Sequence, residues 1–472
     1  MSYRSLKTLH QDIANNNITC VALTQNYIQK IKSEDKYNAF LEVFETSALE
    51  QAQQLDEKIK QNQTKGKLFG LIIGIKDNIV YKNHTVTAAS KILTGFNSVY
   101  SATVVEKLLA EDAIIIGRLN CDEFAMGGSN ENSAFGAVKN PHDLNKVSGG
   151  SSGGSAVAVA ANLCMAALGS DTGGSIRQPA AFCGNIGLKP TYGRVSRWGL
   201  IAYGSSFDQI GPITNTVEDA QLILEVIQGV DEFDATVAQR EYAPIQLENN
   251  KKYKICYYDN AVNHPSIQSS VQKSILEKIE QLKADGHEVS AIQFDELDYI
   301  VPAYYVLTTA EASSNLSRFD GVKYGYHASE AKDLEQTYKL TRSQGFGAEV
   351  KRRIMCGSFV LSSGYYDAYY SKAQKVRRIV ANKTIATLKE YDFIISPTAP
   401  TVAYNIGEVQ DPIASYLGDI FTVQANLVGI PGISVPIAND ENGLPIGLQI
   451  MSGKFEEEKL LSFAQQIVEN NN

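Results

Sequence analysis

The chain has 472 residues and a mass of 51.5 kDa, with 44% hydrophobic, 20% charged and 9% aromatic residues. This composition excludes collagen-like, coiled-coil, disordered and disulfide-scaffold proteins, and it supplies enough apolar residues for a large core. The formal net charge of −9 argues against nucleic-acid binding by the chain on its own.

The sequence shows no segment for export or membrane insertion. The start lacks the apolar stretch of a signal peptide, and no run of about 18 apolar residues occurs. We therefore expect a cytoplasmic protein with no membrane partner. The six cysteines form no CxxC pair. This spacing predicts buried structural thiols and no metal site.

Taken in chain order, the sequence predicts a helical arm followed by alternating strands and helices. In residues 1–65, Leu6, Leu9 and Ile13 repeat at helical spacing, and later residues are charged and rich in glutamine. The predicted strands are 68–76, 113–117, 165–168, 253–258, 393–395, 433–436 and 447–451. The predicted helices are 102–109, 154–161, 217–227, 267–284 and 456–469.

This alternation predicts an α/β fold in which helices cover both faces of a central sheet. No change in composition is sharp enough to mark a linker, so we expect residues 1–472 to form a single domain.

A dense glycine–serine cluster lies at residues 148–155, which read Ser-Gly-Gly-Ser-Ser-Gly-Gly-Ser. A flexible linker would lead into polar sequence, whereas this segment leads into an apolar helix. A phosphate-binding loop would show GxxxxGK[ST] or GxGxxG, and neither is present. The third interpretation is a rigid loop that presents serine hydroxyls at a helix N-terminus. Such a loop can be catalytic or purely structural.

A second glycine–serine segment, residues 169–179, follows a predicted strand. Its consecutive backbone N–H groups could converge on one point, as an oxyanion hole requires. The alternative is a strand-to-helix turn in which glycine only relieves the backbone. The N–H groups concerned are those of Thr172, Gly173, Gly174 and Ser175.

A serine nucleophile needs a base, and Lys76 is the best candidate. The six histidines lie in polar or turn-like segments without a recognisable context. Lys76 ends the apolar run that begins at Leu71, so its amine would emerge from a buried strand. Burial lowers the pKa of a lysine, and only the neutral amine accepts a proton. Considered alone, a lysine at a strand end more often places its amine in water.

Together these segments resemble the amidase signature family. The resemblance rests on Lys76, on residues 149–155 and on residues 173–179. Its spacing also matches, because Ser151 lies 75 residues after Lys76 and 24 residues before Ser175.

The resemblance implies a Ser–cis-Ser–Lys triad. Ser175 would be the nucleophile, Lys76 the base, and Ser151 a proton relay preceded by a cis peptide bond. The family's oxyanion hole corresponds to the backbone from Thr172 to Ser175. Proximity in the sequence suggests Asp171 and Arg177 as supports of this loop.

Within the family, the chain is similar to the glutaminases that serve tRNA-dependent amidotransferases. The resemblance covers nearly the whole chain, through residues 124–136, 189–197, 208–212, 315–321, 345–353, 362–370 and 426–432. It implies a pocket for free glutamine, with Arg353 for the α-carboxylate, Asp419 for the α-ammonium and Tyr304 as a hydrogen-bonding wall. Without the resemblance, Arg353 and Asp419 would be interpreted as solvated surface residues.

A substrate loop is also implied, although its sequence departs slightly from the family's usual Gly-Ser-Ser pattern. Its residues are Met126, Gly127, Gly128 and Ser129.

Within the single domain, the expected organisation is an arm (1–65), a catalytic half (66–235) and a second half that completes the pocket (236–472).

The resemblance implies that the chain hydrolyses glutamine to glutamate and delivers ammonia to a partner, the B subunit of the amidotransferase. That partner would use ATP and Mg²⁺ to amidate Glu-tRNA(Gln), Asp-tRNA(Asn) or both, and a small C subunit would complete a heterotrimer. This chain would hold no cofactor and would meet tRNA only through its partner. Two alternatives stay open, which are a stand-alone amidase for another small amide and a non-catalytic binding module.

Overall fold

A computed structural model describes residues 2–248, 250–409 and 411–470 of the chain. The strands are β1 (Phe40–Val43), β2 (Ile72–Lys76), β3 (Ile114–Leu119), β4 (Ala166–Asp171), β5 (Ile186–Lys189), β6 (Gln209–Thr214), β7 (Lys254–Tyr258), β8 (Glu288–Ile292), β9 (Phe393–Pro397), β10 (Gly432–Asn439) and β11 (Pro445–Met451).

The helices are α1 (Leu6–Ala14), α2 (Cys20–Ser33), α3 (Glu45–Lys60), α4 (Thr103–Ala110), α5 (Gly153–Ala160), α6 (Arg177–Cys183), α7 (Val217–Ile227), α8 (Asp259–Val262), α9 (Ser269–Ala284), α10 (Leu297–Asn315), α11 (Leu334–Gly345), α12 (Ala348–Val360), α13 (Lys372–Glu390), α14 (Pro412–Leu417), α15 (Val423–Val428) and α16 (Glu457–Glu469).

All eleven strands join one mixed sheet in the order β1-β3-β2-β4-β6-β5-β10-β11-β9-β7-β8. Strand β2 runs parallel to both β3 and β4, and β7 runs parallel to β8 and β9. The other pairs are antiparallel. The α/β fold with one central sheet, expected from the sequence, is thus confirmed, and the sheet is mixed.

The centre of the sheet is covered on both faces. Every residue of β2, β3, β4 and β6 is buried. Because successive side chains of a strand point to opposite faces, complete burial requires packing on both sides. Helix α5 supplies part of this cover, since its run of alanine and valine lies against β4.

Side-chain caps begin several helices where the chain enters them from an extended segment. Ser5, Thr19 and Thr216 each accept a hydrogen bond from the backbone N–H three residues later. Such a cap satisfies one of the N–H groups that have no partner within the first helical turn.

The N-terminal arm is packed against the body of the protein. Leu6, Leu9 and Ile13 of α1 are buried, as their spacing predicts. The Asp219 carboxylate on α7 accepts the Leu6 N–H at 3.1 and 3.2 Å. The expectation of a purely helical arm is wrong in one respect, because β1 pairs with β3 and adds a strand to the sheet edge.

The other predicted strands and helices occur within a few residues of their expected ends. Pattern reasoning missed β5, β6 and β8, and it made no prediction for helices α6, α8 and α10 to α15. Five of the six cysteines are buried, whereas Cys356 is exposed, contrary to expectation.

Leu168→Ala tests the central packing of the sheet. Leu168 is fully buried in β4, between Ile75 of β2 and Pro212 of β6. We expect the substitution to lower the free energy of unfolding by about 2–5 kcal/mol, because it leaves a cavity. The control is Leu334→Ala, since Leu334 is 62% exposed. Urea denaturation measures both, and equal effects would contradict the packing described here.

Candidate active site

Lys76 lies at the C-terminal end of β2, and its amine is enclosed by hydroxyl groups. Nζ lies 2.7 Å from Ser151 Oγ, 2.9 Å from Ser152 Oγ and 2.9 Å from Ser170 Oγ. The side chain is fully buried. Burial lowers the pKa of Lys76 to about 8, although nearby acidic groups act in the opposite direction. The neutral amine is therefore accessible near neutral pH.

The hydrogen bonds around the amine leave one direction for a lone pair. The Ser152 hydroxyl donates to the Ser170 carbonyl at 3.1 Å, so its oxygen accepts from Lys76. The Ser170 hydroxyl oxygen accepts a hydrogen bond from the Asn78 side-chain amide at 2.9 Å. The same oxygen lies 2.9 Å from Lys76 Nζ, so it can also accept a hydrogen bond from the amine. A neutral amine can donate to these two serines and accept the Ser151 proton. Sequence reasoning did not identify Ser152, Ser170 or Asn78.

Ser151 is held by its backbone as well as by Lys76. The Gly150–Ser151 peptide bond is cis, as the resemblance implies. The Asp122 N–H donates to the Ser151 carbonyl at 3.1 Å. A side chain at Gly150 would overlap the Asp122 carboxylate, so only glycine fits this approach.

Asp122 also holds the predicted substrate loop. Its carboxylate accepts the N–H groups of Asn130 at 3.0 Å and Asn132 at 3.1 Å. Burial raises the pKa of Asp122 to about 6, against the effect of these two bonds. Asp122 thus joins the relay serine to the loop that begins at Met126.

Gln178 forms a second bridge between the same two segments. Its amide oxygen accepts the Gly150 N–H at 2.9 Å, and its amide nitrogen donates to the Gly128 carbonyl at 2.9 Å. Met126 is fully buried and Ser129 nearly so, whereas Gly127 and Gly128 are partly exposed. The two glycines in the middle of the loop are therefore accessible to solvent, whereas the residues at its two ends are buried.

Ser175 lies just before α6 and is the most open of the three predicted triad residues, with 8% exposure. Its carbonyl accepts the Ser152 N–H at 3.1 Å, which ties it to the Ser151 segment. Within the residues that the structure describes, no hydrogen bond joins the Ser175 and Ser151 hydroxyls. The Ser175 hydroxyl is thus unpaired at the edge of the buried cluster.

The backbone that precedes Ser175 supplies fewer free donors than the sequence predicts. The Gly174 N–H donates to the Asp171 carboxylate at 2.8 Å, so it is not available to an oxyanion. This corrects the predicted donor set. The N–H groups of Gly173 and Ser175 have no partner in the described part of the chain. The Thr172 N–H likewise has no partner among these residues, and the Thr172 hydroxyl donates to Asp208 at 2.7 Å.

The conformation of this loop requires glycine at position 174. Gly174 has a φ of +134°, and a side chain there would overlap the Thr422 hydroxyl. That hydroxyl donates to the Gly173 carbonyl at 2.6 Å. The carbonyl is therefore held by Thr422, and the neighbouring N–H groups are free to face elsewhere.

Asp171 and Arg177 support the loop, in the place that their sequence positions suggest. The two side chains are fully buried and form an ion pair at 3.0 Å. Asn426 also donates to Asp171, at 2.9 Å. Burial would raise the pKa of Asp171, but Arg177 outweighs it and the pKa falls to about 2. Asp171 is thus an anion at neutral pH and holds the Gly174 N–H firmly.

Arg353 lies on the inner face of α12 and is almost fully buried. Its Nε donates to Glu349 at 2.8 Å, and one Nη donates to the Tyr203 hydroxyl at 2.8 Å. The guanidinium also lies 5.1–5.4 Å from the rings of Tyr203, Tyr305 and Tyr416. An aromatic enclosure of this kind stabilises a cation and fixes its plane.

Asp419 lies next to this enclosure and borders a cavity of about 280 Å³ that Gly128 and Gln178 also line. Its carboxylate accepts the Tyr305 hydroxyl at 2.7 Å. Burial raises the pKa of Asp419 to about 6, while the Tyr305 hydrogen bond and the charge of Arg353 lower it. One cation and one anion therefore lie on two sides of the same tyrosine.

Tyr304, which is predicted to be a hydrogen-bonding wall of the pocket, lies beside the loop that precedes Ser175. Its ring contacts Phe207 and Tyr305 edge-on, and it lies against the backbone of Gly173. The residue that donates to Asp419 is its neighbour Tyr305, which sequence reasoning missed. Tyr304 thus forms a wall beside the oxyanion loop.

Residues 2–248, 250–409 and 411–470 contain neither a cluster of metal-binding side chains nor a membrane-spanning helix. Among these residues, no group of three or more His, Cys, Asp or Glu side chains is arranged to hold a metal ion. Nor does any helix in the same ranges have the length and apolar character needed to cross a membrane.

A buried lysine–serine pair beside a serine with an unpaired hydroxyl is an arrangement suited to amide hydrolysis. The chain belongs to the amidase family, whose model, described as Amidase, matches residues 22–461.

Relatives of known name cover almost the whole chain. It is 47% identical over 475 residues to the A subunit of glutamyl-tRNA(Gln) amidotransferase from Chlorobium phaeobacteroides (strain BS1), with 99% of each chain covered. It is 49% identical to the corresponding protein of Staphylococcus haemolyticus, over 98% of this chain and 96% of the relative. The solved structure of the Thermotoga maritima protein of the same name has 40% identity and a TM-score of 0.78, covering 96% of this chain and 94% of that one.

Asp171→Asn tests the support of the Ser175 loop. The change leaves the buried Arg177 cation without its counter-ion and weakens the acceptor of the Gly174 N–H. We expect the free energy of unfolding at pH 7 to fall by about 3–5 kcal/mol. The control is Asp367→Asn, at an exposed position outside this cluster. A loss below about 1 kcal/mol in urea denaturation would contradict the role given to Asp171.

Proposed function

We propose that this chain is the glutaminase component of a tRNA-dependent amidotransferase. It hydrolyses glutamine to glutamate and passes ammonia to a partner that converts Glu-tRNA(Gln), Asp-tRNA(Asn) or both to the amidated forms. The observation that carries the proposal is the contact between the buried Lys76 amine and the Ser151 hydroxyl. Arg353 and Asp419, which both contact Tyr305, supply a cation and an anion for the substrate. The full-length similarity to amidotransferase A subunits supports the same assignment.

The pocket chemistry matches a free amino acid. Glutamine carries an α-carboxylate and an α-ammonium, so a site that holds it needs one group of each sign. Arg353 binds the carboxylate through its fixed guanidinium plane, and Asp419 binds the ammonium. Because the pKa of Asp419 is about 6, this carboxylate is ionised at neutral pH.

The reaction begins when the Ser175 oxygen attacks the side-chain carbonyl of glutamine. Ser151 takes the Ser175 proton and passes its own proton to the neutral Lys76 amine. The N–H groups of Gly173 and Ser175 stabilise the negative oxygen of the tetrahedral intermediate. When the carbon–nitrogen bond breaks, the proton on Lys76 returns through Ser151 to the leaving nitrogen, and ammonia departs.

The second half of the reaction repeats the same proton path with water. Water attacks the glutamyl ester on Ser175 while Ser151 and Lys76 take up its proton. Collapse of the intermediate releases glutamate and returns the proton to Ser175. The chain needs no cofactor for these steps, and the ATP and Mg²⁺ of the overall amidation belong to the partner, the B subunit. The small C subunit holds the other two together, and tRNA binds through the partner.

Lys76→Ala, Ser151→Ala and Ser175→Ala test this proposal in the assembled complex. Each removes one member of the proton path, so glutamine-dependent amidation should fall at least a thousandfold. Amidation with free ammonia should stay within about twofold of the wild type, because the partner's site is unchanged. Ser317→Ala, at an exposed serine, is the control.

Two outcomes would contradict the proposal. Loss of ammonia-dependent amidation in all three variants, despite intact assembly, would show that the division of roles is wrong. Rapid hydrolysis of simple aliphatic or aryl amides by the wild type, with none of glutamine, would instead identify a stand-alone amidase.

A further inference from the structure

We propose that Tyr416 is a positioning residue of the glutamine site, because its hydroxyl fixes the guanidinium of Arg353 relative to the carboxylate of Asp419. This inference rests on the proposed function, since it adds a determinant of binding to the same site. Tyr416 lies on α14, three residues before Asp419, and its side chain is partly buried. Sequence reasoning gave this tyrosine no role.

Tyr416 and Arg353 share one acceptor atom, the Oε1 oxygen of Glu349. The Tyr416 hydroxyl donates to this oxygen at 2.8 Å, and the Arg353 Nε–H donates to it at the same distance. The other oxygen of this carboxylate binds Arg352. Burial would raise the pKa of Glu349, but the charge of Arg353 outweighs it and the pKa is lowered. Glu349 is therefore an anion at neutral pH, and the hydrogen bonds to it are charge-assisted.

The ring of Tyr416 makes two further contacts. It stacks on the ring of Tyr305, with centroids 4.0 Å apart and planes inclined by 23°. The Arg353 Cζ lies 5.4 Å from the centroid of the Tyr416 ring and 5.1 Å from that of the Tyr305 ring. Tyr305 thus holds the face of Tyr416 and Glu349 holds its hydroxyl, so the orientation of Tyr416 beside the guanidinium is fixed.

These contacts form a closed cycle that includes both charged groups of the site. The Asp419 carboxylate accepts the Tyr305 hydroxyl at 2.7 Å, and the Asp419 N–H donates to the Tyr416 carbonyl at 3.2 Å. Arg353 lies against the Tyr305 ring. Glu349 joins Arg353 to Tyr416. A movement of the guanidinium away from Asp419 would therefore break at least one of these contacts.

A fixed separation between Arg353 and Asp419 matters because both charged groups of glutamine are attached to one carbon atom. Covalent geometry holds the α-carboxylate and the α-ammonium at a constant distance. A cation and an anion that bind them together must keep a matching distance. Binding groups that are in place before the ligand arrives reduce the ordering cost of binding. The cycle of contacts through Tyr416 provides this preorganisation.

Glu349 holds Arg353 without occupying the edge that a substrate carboxylate needs. A guanidinium has five N–H donors. Glu349 accepts the Nε–H, and the Tyr203 hydroxyl accepts one Nη N–H at 2.8 Å. Among the residues that the structure describes, the other N–H groups of Arg353 have no acceptor. They include at least one N–H on each Nη nitrogen, so a bidentate bond to a carboxylate is still open.

Tyr416→Phe removes the hydroxyl and keeps the ring, so it tests this role directly. We expect the KM for glutamine in the assembled complex to rise about tenfold, because Arg353 loses its fixed position, while kcat changes less than about twofold. Amidation with free ammonia should be unchanged. Tyr338→Phe is the matched control, since Tyr338 is an exposed tyrosine on α11. Thermal melting of both variants verifies that they are folded.

Two analogues of glutamine separate the positioning of Arg353 from general packing. γ-Aminobutyramide lacks the α-carboxylate and can use only Asp419, whereas glutaramate lacks the α-ammonium and can use only Arg353. Each is measured as a competitive inhibitor of glutamine hydrolysis, with the wild type and with Tyr416→Phe. We expect the inhibition constant of glutaramate to rise about tenfold in the variant, and that of γ-aminobutyramide to change less than about twofold.

The role of Tyr416 would be refuted by either of two results. An unchanged KM for glutamine in Tyr416→Phe would show that the hydroxyl does not position Arg353. Equal weakening of both analogues would show that Tyr416 serves only as packing for the whole pocket. Both results leave the proposed function intact, since the wild type still hydrolyses glutamine. Absence of glutamine hydrolysis by the wild-type complex would contradict the proposed function itself, and the inference with it.

Discussion

The site depends on one physical constraint, the burial of the Lys76 amine against the hydroxyl of Ser151. Charge on an amine is costly in a medium from which water is excluded, so burial favours the neutral form. Three serine hydroxyls surround Nζ at 2.7–2.9 Å, which satisfies the amine without a counter-ion in direct contact. The buried environment that lowers the pKa of the Lys76 amine therefore also directs the lone pair of the neutral amine toward the Ser151 hydroxyl.

The sheet brings the parts of the site together. Strands β2 and β4 are parallel neighbours, so Lys76 and Ser170–Asp171 meet at the same edge. Two buried carboxylates then hold the loops at that edge. Asp122 fixes the relay serine and the substrate loop, and Asp171 fixes the loop that leads to Ser175. Each carboxylate accepts hydrogen bonds from backbone N–H groups of its loop. The conformation of each loop is therefore fixed by a buried acidic side chain.

The sequence predicted the elements that have a strong local pattern. The apolar run that ends at Lys76 and the helix after residue 153 could be read from spacing alone. Strand β6 could not, because Gly211 and Pro212 lie within it and its pairing with β4 is a long-range effect. Helix α10 contains Pro302, which obscures the helical pattern.

The same distinction holds within the site. The motif positions of Lys76, Ser151 and Ser175 could be predicted because they recur in a known family. Asp122 lies in an unremarkable segment, and only the folded chain shows that it touches the Ser151 backbone. Tyr304 and Tyr305 are adjacent on one helix, so their roles depend on helix rotation, which sequence does not give. The sequence also could not show that the Gly174 N–H donates to the Asp171 carboxylate and is therefore not available to an oxyanion.

The most direct test of the account is the titration of the Lys76 amine itself. The protein is labelled with ¹³C at lysine Cε, and the Lys76 resonance is assigned from its absence in Lys76→Arg. The account predicts a midpoint near pH 8, well below the value of about 10.4 for an exposed lysine. A midpoint at or above pH 10 would mean that the amine stays charged, and the proposed proton path would then be wrong.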